Sequence, residues 1–256
     1  METYNTTKQL LSHAAVPMAT KTYKPISHTQ LMDLTLESIH QAGFTLDKEL
    51  YTSAREGKVA NGKFTIKNVA DNEMQLQIGW QNSYDKSLSL KFAIGTKIFI
   101  CSNGCVSGDY GSFKKKHQGE IQTFTPQAIT EYISQAGEMF TRMQAERDLM
   151  KTIQIDRKTQ AELIGRMIIE QEFIESTQLN IIRKELDAPT HDYGAPNSLW
   201  ELYQFTTFAM KEVHPSLWMN NHIDAHNFFT EQAGIISLPS IDFKPVVANQ
   251  LELFTV

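Results

Sequence analysis

The alternation between Met74 and Ile100 constrains the fold more than any other stretch of the chain. Met74, Leu76, Ile78 and Trp80 alternate with Gln75, Gln77, Gly79 and Gln81. Leu88, Leu90, Phe92, Ile94, Ile98 and Ile100 then fall on even positions, with Thr96 the one polar residue among them. A period of two gives a strand one dry face and one wet face. The polar loop Gln81-Asn-Ser-Tyr-Asp-Lys-Ser87 joins the two strands, and Cys101-Ser-Asn-Gly-Cys105 and Phe113-Lys-Lys-Lys-His117 follow. These loops hold most of the chain's candidate functional groups.

The flanking segments extend this core. Leu50 to Val59 can pair with Lys63 to Val69 across Asn61-Gly62, a two-residue hairpin signal. Asp71-Asn72 turns the chain into the Met74 strand. Gly95 suggests a bulge or bend, and Asn103-Gly104 returns Val106 to Tyr110 as a short edge strand. Ser27-His-Thr-Gln30 is a capping box that opens a helix ending at Gly43. Thr125-Pro126 starts a helix through Ile129, Ile133, Ala136, Phe140 and Met143. Thr159-Gln-Ala-Glu162 and Ser198-Leu-Trp-Glu201 open further helices, and helical pattern covers Gln178 to Leu186 and Leu217 to Gln232. The expected fold is α+β. An antiparallel four- to five-stranded meander is covered on one face by helices, the C-terminal half is helical, and the tail is extended. The expected units are an N-terminal arm (1–25), a helix plus sheet (26–125), a helical region (126–234) and the tail (235–256).

Charge is uneven. Between Thr45 and Thr125 there are 11 Lys and Arg against 8 Asp and Glu, a surplus of three, while the rest of the chain carries −8. That fits one phosphate-facing surface on an acidic protein. No apolar run approaches the roughly 20 residues that span a bilayer. No signal peptide is evident, and two cysteines make no disulfide framework, so the expectation is a cytoplasmic protein without a membrane partner.

Several groups carry competing readings. Lys114, Lys115 and Lys116 with His117 can grip phosphates, joined by Lys86, Lys91 and Lys97 from the loop and the wet face, or they are a solvated loop and sheet surface. Asn82, Ser83, Asp85, Lys86 and Ser87 form a motif loop that either serves function or caps its own turn. Cys101 and Cys105 with His117 lack a fourth zinc ligand, and a buried thiol is the preferred reading of Cys101. His222 and His226 sit four apart and are expected on a helix surface. No metal site, cofactor or catalytic residue is assigned.

Two resemblances add to these readings. Gln250-Leu251-Glu252-Leu253-Phe254 resembles the pentapeptide by which bacterial replication proteins bind the sliding clamp. There the Gln anchors by hydrogen bonds and the apolar side chains fill pockets; the alternative is a tail packed on its own core. Val16-Pro17, Asn82-Ser-Tyr-Asp-Lys-Ser87, Gly95, Cys101-Ser-Asn-Gly104 and Lys116-His117 occur in the order seen in a phage- and plasmid-borne family known as a domain of unknown function. That resemblance covers roughly residues 14–213 and implies a mobile-element protein. The order of helix, antiparallel meander and long helix is similar to that of phage single-strand annealing proteins, which implies single-stranded DNA as partner and a homo-oligomer.

The expectation is therefore a non-enzymatic DNA-binding protein of phage or mobile-element DNA metabolism. Single-strand annealing recombination is the expected process, with recruitment to the host clamp. The alternatives are a nucleotide or phosphodiester hydrolase using the Asn82–Lys86 loop, and an inhibitor of host defence. A hydrolase predicts that Asn82, Asp85, Lys86 and His117 converge in a pocket. A binding face predicts that they spread along an open groove.

Overall fold

The computed structural model describes residues 4–100, 104–214 and 216–235. The N-terminal half is an antiparallel sheet and the C-terminal half is helical, as an α+β reading requires. The strands are β1 (Tyr4–Thr6), β2 (Leu46–Ala54), β3 (Val59–Ala70), β4 (Met74–Ser83), β5 (Leu90–Ile98), β6 (Gly104–Val106) and β7 (Ser112–Lys115). They run in sequence order from β1 to β6, and β7 also pairs with β5. Among the described residues seven strands stand where four or five are expected, for two reasons. Residues of the N-terminal segment add β1 to the edge of β2. On the far side, β6 and β7 share β5 between them: β6 takes Gly95–Lys97 and β7 takes Leu90–Ala93. The N-terminal segment also contributes helix α1 (Lys8–Ser12), which buries Leu11, and Tyr23.

Three turn expectations need correction. Asn61-Gly62 is not a turn; both residues lie inside β3, paired with Gln81 and Trp80. The chain reverses instead at Arg55, Glu56 and Gly57, all at positive φ. Gly62 is required by space, since a Cβ there would lie 2.5 Å from Cε2 of Trp80. Gly95 makes no bulge, because the β4–β5 register is unbroken from Met74–Ile98 to Gln81–Lys91. Its hydrogen side faces β6, where a Cβ would meet the Cys105 carbonyl oxygen at 2.4 Å. The edge strand is Gly104–Val106 rather than Val106–Tyr110, and a 3-10 turn follows at Asp109–Gly111. The Asp71 turn forms as expected, its Oδ1 accepting from the Glu73 and Met74 amides at 2.8 Å.

The helices are α2 (His28–Gln41), α3 (Ile121–Ser134), α4 (Ala136–Thr152), α5 (Arg157–Ile169), α6 (Ser176–Asp187), α7 (Leu199–Ala209) and α8 (Trp218–Gln232). Ser27 caps α2 and Ser198 caps α7, each accepting from the amide three residues on. Helix α3 begins one turn before Thr125-Pro126, because the Thr123 and Phe124 amides already reach the Glu120 carbonyl. Helix α5 is capped by Asp156, not Thr159, whose amide it accepts. Ile129, Ile133, Ala136, Phe140 and Met143 all join the core cluster that also holds Phe64, Leu76, Ile78, Phe92 and Ile94. No helix among the described residues is long and apolar enough to cross a membrane.

The wet face of the sheet is only partly wet. Along β4 and β5 the outward positions include Gly79, Ala93 and Gly95, which offer almost no side chain. Helix α8 uses that seat: Met219 packs with Ala93 and Val106, flanked by Trp218 and Ile223. The same packing explains why His222 and His226 are buried rather than on a helix surface. His226 lies between Tyr203 and Glu146, with Nδ1 3.2 Å from the Tyr203 hydroxyl and Nε2 3.2 Å from the Glu146 carboxylate. The His222 ring packs at a 43° tilt against Trp218, and burial, with Lys63 nearby, pushes its pKa down to about 3.

Candidate functional site

Asn82, Ser83, Tyr84, Asp85, Lys86 and Ser87 do not act as one loop. Asn82 and Ser83 still belong to β4, and the pleat turns Asn82 into the interior, fully buried. The Ser83 hydroxyl binds both the amide and the carbonyl of Leu88 at 3.0 Å, closing the turn. The Tyr84 hydroxyl accepts from the His28 amide at 2.7 Å, and its ring stacks on His28 with centroids 3.9 Å apart. Asp85 turns to Arg55 at 2.7 Å and accepts from the Ser87 amide and hydroxyl. Burial pushes the Asp85 carboxyl up, but Ser87 and Arg55 outweigh it and hold it below the usual carboxylate range. Lys86, at φ 64°, is left exposed, its ammonium 4.8 Å from the Tyr23 ring centroid.

Buried Asn82 links two histidines. Its Nδ2 lies 2.9 Å from the Ile26 carbonyl and 3.1 Å from Nδ1 of His28, and its Oδ1 lies 2.7 Å from Nε2 of His117. Nε2 of His28 lies 3.0 Å from the Gly57 carbonyl. Carbonyls only accept, so these contacts fix every proton in the chain. Asn82 must donate to Ile26, and His28 must donate from Nε2 to Gly57. His28 Nδ1 is then the acceptor for Asn82, and His117 must donate from Nε2 to the Asn82 oxygen. Nδ1 of neutral His117 is left with a lone pair. Burial lowers the pKa of both rings, that of His28 to about 4, so both are neutral at pH 7.

His117 lines a cleft of about 270 Å³ with Tyr23, Lys86, Ser87, Ser89 and Lys116. Its Nδ1 has no partner among the described residues and is not sealed from solvent. The cleft has two ammonium groups on its wall and no carboxylate. Three separate segments build it: residues 22–23, the β4–β5 turn, and the chain leaving β7. Asn82, Lys86 and His117 thus converge, while Asp85 turns away to Arg55.

The lysine run is dispersed by the strand it ends. Lys114 stands opposite Lys91 on the outer face. Lys115 points to the other face and sits 4.5 Å over the Phe124 ring. Only Lys116 enters the cleft. Lys91 is buried under the entry to α8, donating to the Ser216 carbonyl at 3.0 Å, and burial, with Lys114 beside it, lowers its pKa to about 8. Lys91 and Lys114 line a second cleft of about 460 Å³, whose wall also carries Asp109 and Asp224. Lys97 is half-buried further along β5 and lines neither cleft. The sheet's lysines therefore form no single track.

Among the described residues no three His, Cys, Asp or Glu side chains gather as a metal site. Cys105 is a buried thiol that accepts from Gln204, and Cys101 lies outside the described residues. So do Gln250, Leu251, Leu253 and Phe254. Sequence reasoning missed Tyr23 and His28 as parts of the site. Tyr23 stands in a stretch without period, and His28 is disguised as the first residue of a helix.

No solved structure matches the chain. The family model described as Domain of unknown function (DUF932) matches residues 16–227, most of the chain and all of the cleft. The chain is a member of the DUF932 family.

Proposed function

We propose that this chain binds single-stranded DNA through its phosphates, in phage or mobile-element DNA metabolism, with the Tyr23–Lys86–Lys116–His117 cleft as a backbone contact. The supporting observation is that cleft: two lysines from separate segments and a neutral histidine, with no carboxylate on its wall. Its residues include Lys86, Ser87, Lys116 and His117, which carry the resemblance to mobile-element proteins. Annealing-type recombination by an oligomer is the process that fits the order of elements. The chain as a whole is −5, so its net field repels DNA and contact depends on local charge. The clamp-like Gln250-Leu251-Glu252-Leu253-Phe254 offsets that repulsion by tethering the protein near replication forks. Fluorescence anisotropy with labelled single- and double-stranded oligonucleotides across a salt series tests the reading. Salt-sensitive binding that prefers single strands supports it, and absence of binding at low salt defeats it.

A second reading is favoured by one contact. The 2.7 Å bond from His117 to Asn82 fixes the ring with a basic nitrogen toward the cleft, as a general base requires. The reaction would be hydrolysis of a nucleotide or phosphodiester. Water would give its proton to His117, its oxygen would bond phosphorus, and the leaving oxygen would take a proton from a lysine ammonium. Product release from a labelled oligonucleotide or nucleotide, lost in His117→Gln, distinguishes this from binding alone.

A further inference from the structure

The free nitrogen of His117 conflicts with the charge of its own cleft. Lys86 and Lys116 are donors that suit an oxyanion. Neutral His117 presents a lone pair instead, because its proton is committed to Asn82. A diester or sulfate oxygen also presents only lone pairs. An oxyanion seated between the two ammonium groups therefore meets repulsion at Nδ1 unless the ring takes up a proton. An imidazolium donates from both nitrogens, so the Asn82 bond survives protonation.

We propose that the cleft is a proton-linked oxyanion site. A tetrahedral phosphate or sulfate group is held by Lys86, Lys116 and His117, and one proton passes from solvent to Nδ1 of His117 as the anion binds. This rests on the reading of the cleft as a phosphate site and adds what that reading does not contain. The groups facing the ring support it. Tyr23 lies 5.8 Å away by ring centroids, Lys86 comes from the β4–β5 turn, and His28 of α2 faces the ring through Asn82. None of them is a carboxylate able to hold a charged ring in the empty site. Asp85, the nearest acid in sequence to Lys86, is engaged by Arg55 and Ser87. Without an anion, burial keeps His117 neutral. The anion supplies the missing negative charge.

Sulfate is the probe, because its charge is constant between pH 5 and 8. Long-range ¹H–¹⁵N spectra of the imidazoles read the protonation of His117 directly. At pH 7 the free protein is expected to show the Nε2–H tautomer, and the sulfate-saturated protein an imidazolium. The sulfate Kd is expected to rise by up to about tenfold per pH unit between the free and bound pKa values. His117→Gln keeps an amide donor that does not titrate, so it should bind sulfate with no pH dependence. If that variant fails to fold, the wild-type spectra decide alone. A ring that stays neutral in the saturated complex, a pH-independent Kd, or no sulfate binding overturns the proposal. Salt-sensitive oligonucleotide binding measured alongside any of these results would leave the DNA-binding reading standing.

Discussion

His117 and Asn82, 35 residues apart in the chain, are joined by a 2.7 Å bond between Nε2 and Oδ1. That bond ties the end of β7 to the interior of β4, and through Asn82 to His28 and the Ile26 carbonyl. One buried amide thereby satisfies three elements and aims one imidazole at the cleft.

Removing that amide should be costly. Asn82→Ala leaves the Ile26 carbonyl and both histidines without their partner in a dry site. A loss of about 3 kcal/mol is expected, since each buried polar group left unpaired costs about 1–3 kcal/mol. Urea unfolding followed by circular dichroism measures it. A loss below about 1 kcal/mol would mean that water replaces the amide.

Acid should destabilise the fold before the carboxylates titrate. The folded pKa values of His28 and His222 are lowered to about 4 and about 3, from an ordinary value of 6.5. Between pH 6.5 and 4 the unfolded chain binds more protons than the folded one. Stability is therefore full above pH 6.5 and falls with pH through that window. At pH 5 each ring is expected to cost about 2 kcal/mol relative to pH 7. Unfolding free energies at pH 7, 6 and 5 check the slope, and His28→Gln should reduce it.

The outer seat for β6 and α8 depends on missing side chains. Gly95→Ala places a methyl 2.4 Å from the Cys105 carbonyl oxygen, so strand backbone rather than a flexible side chain must shift. Overpacking of this kind costs about 1–3 kcal/mol. Gly165→Ala in the middle of α5 meets nothing within 4 Å and should stabilise by roughly 0.5–1 kcal/mol. Thermal melts of the two variants should move in opposite directions.

The tail makes a separate prediction. Leu253→Ala with Phe254→Ala should abolish co-elution with a bacterial sliding clamp while leaving the circular dichroism spectrum and melting temperature unchanged. Loss of soluble folded protein would instead mean that these residues pack on the chain's own core.

Periodicity made the central sheet legible, because Met74–Trp80 and Leu90–Ile98 carry a strict alternation that only a strand satisfies. Two helix caps were equally plain, at Ser27 and Ser198, since a hydroxyl with a partner amide three residues on is a local device. What depended on distant neighbours was not legible. Asn61-Gly62 has the chemistry of a turn, but Trp80 across the sheet claims the space over Gly62 and holds it in a strand. Alternation marked Lys91 as solvent-facing, yet it is buried and donates to the carbonyl of Ser216, more than 100 residues later, at the entry to α8. The site was half legible. The order of Asn82–Ser87 and Lys116-His117 named two of the segments that line the cleft, but spacing could not show that Asn82 faces inward to His117 while Lys115 faces away.

The most direct test of the phosphate reading compares three proteins binding a labelled single-stranded oligonucleotide: wild type, Lys86→Gln/Lys116→Gln, and Lys115→Gln. Each phosphate contact contributes about 0.7 to the slope of log K against log salt on a single strand. The double variant is expected to lose roughly 1.4 from that slope and bind much more weakly, with Lys115→Gln close to wild type. Equal slopes and affinities for all three would contradict the account and remove the cleft from any role in DNA contact.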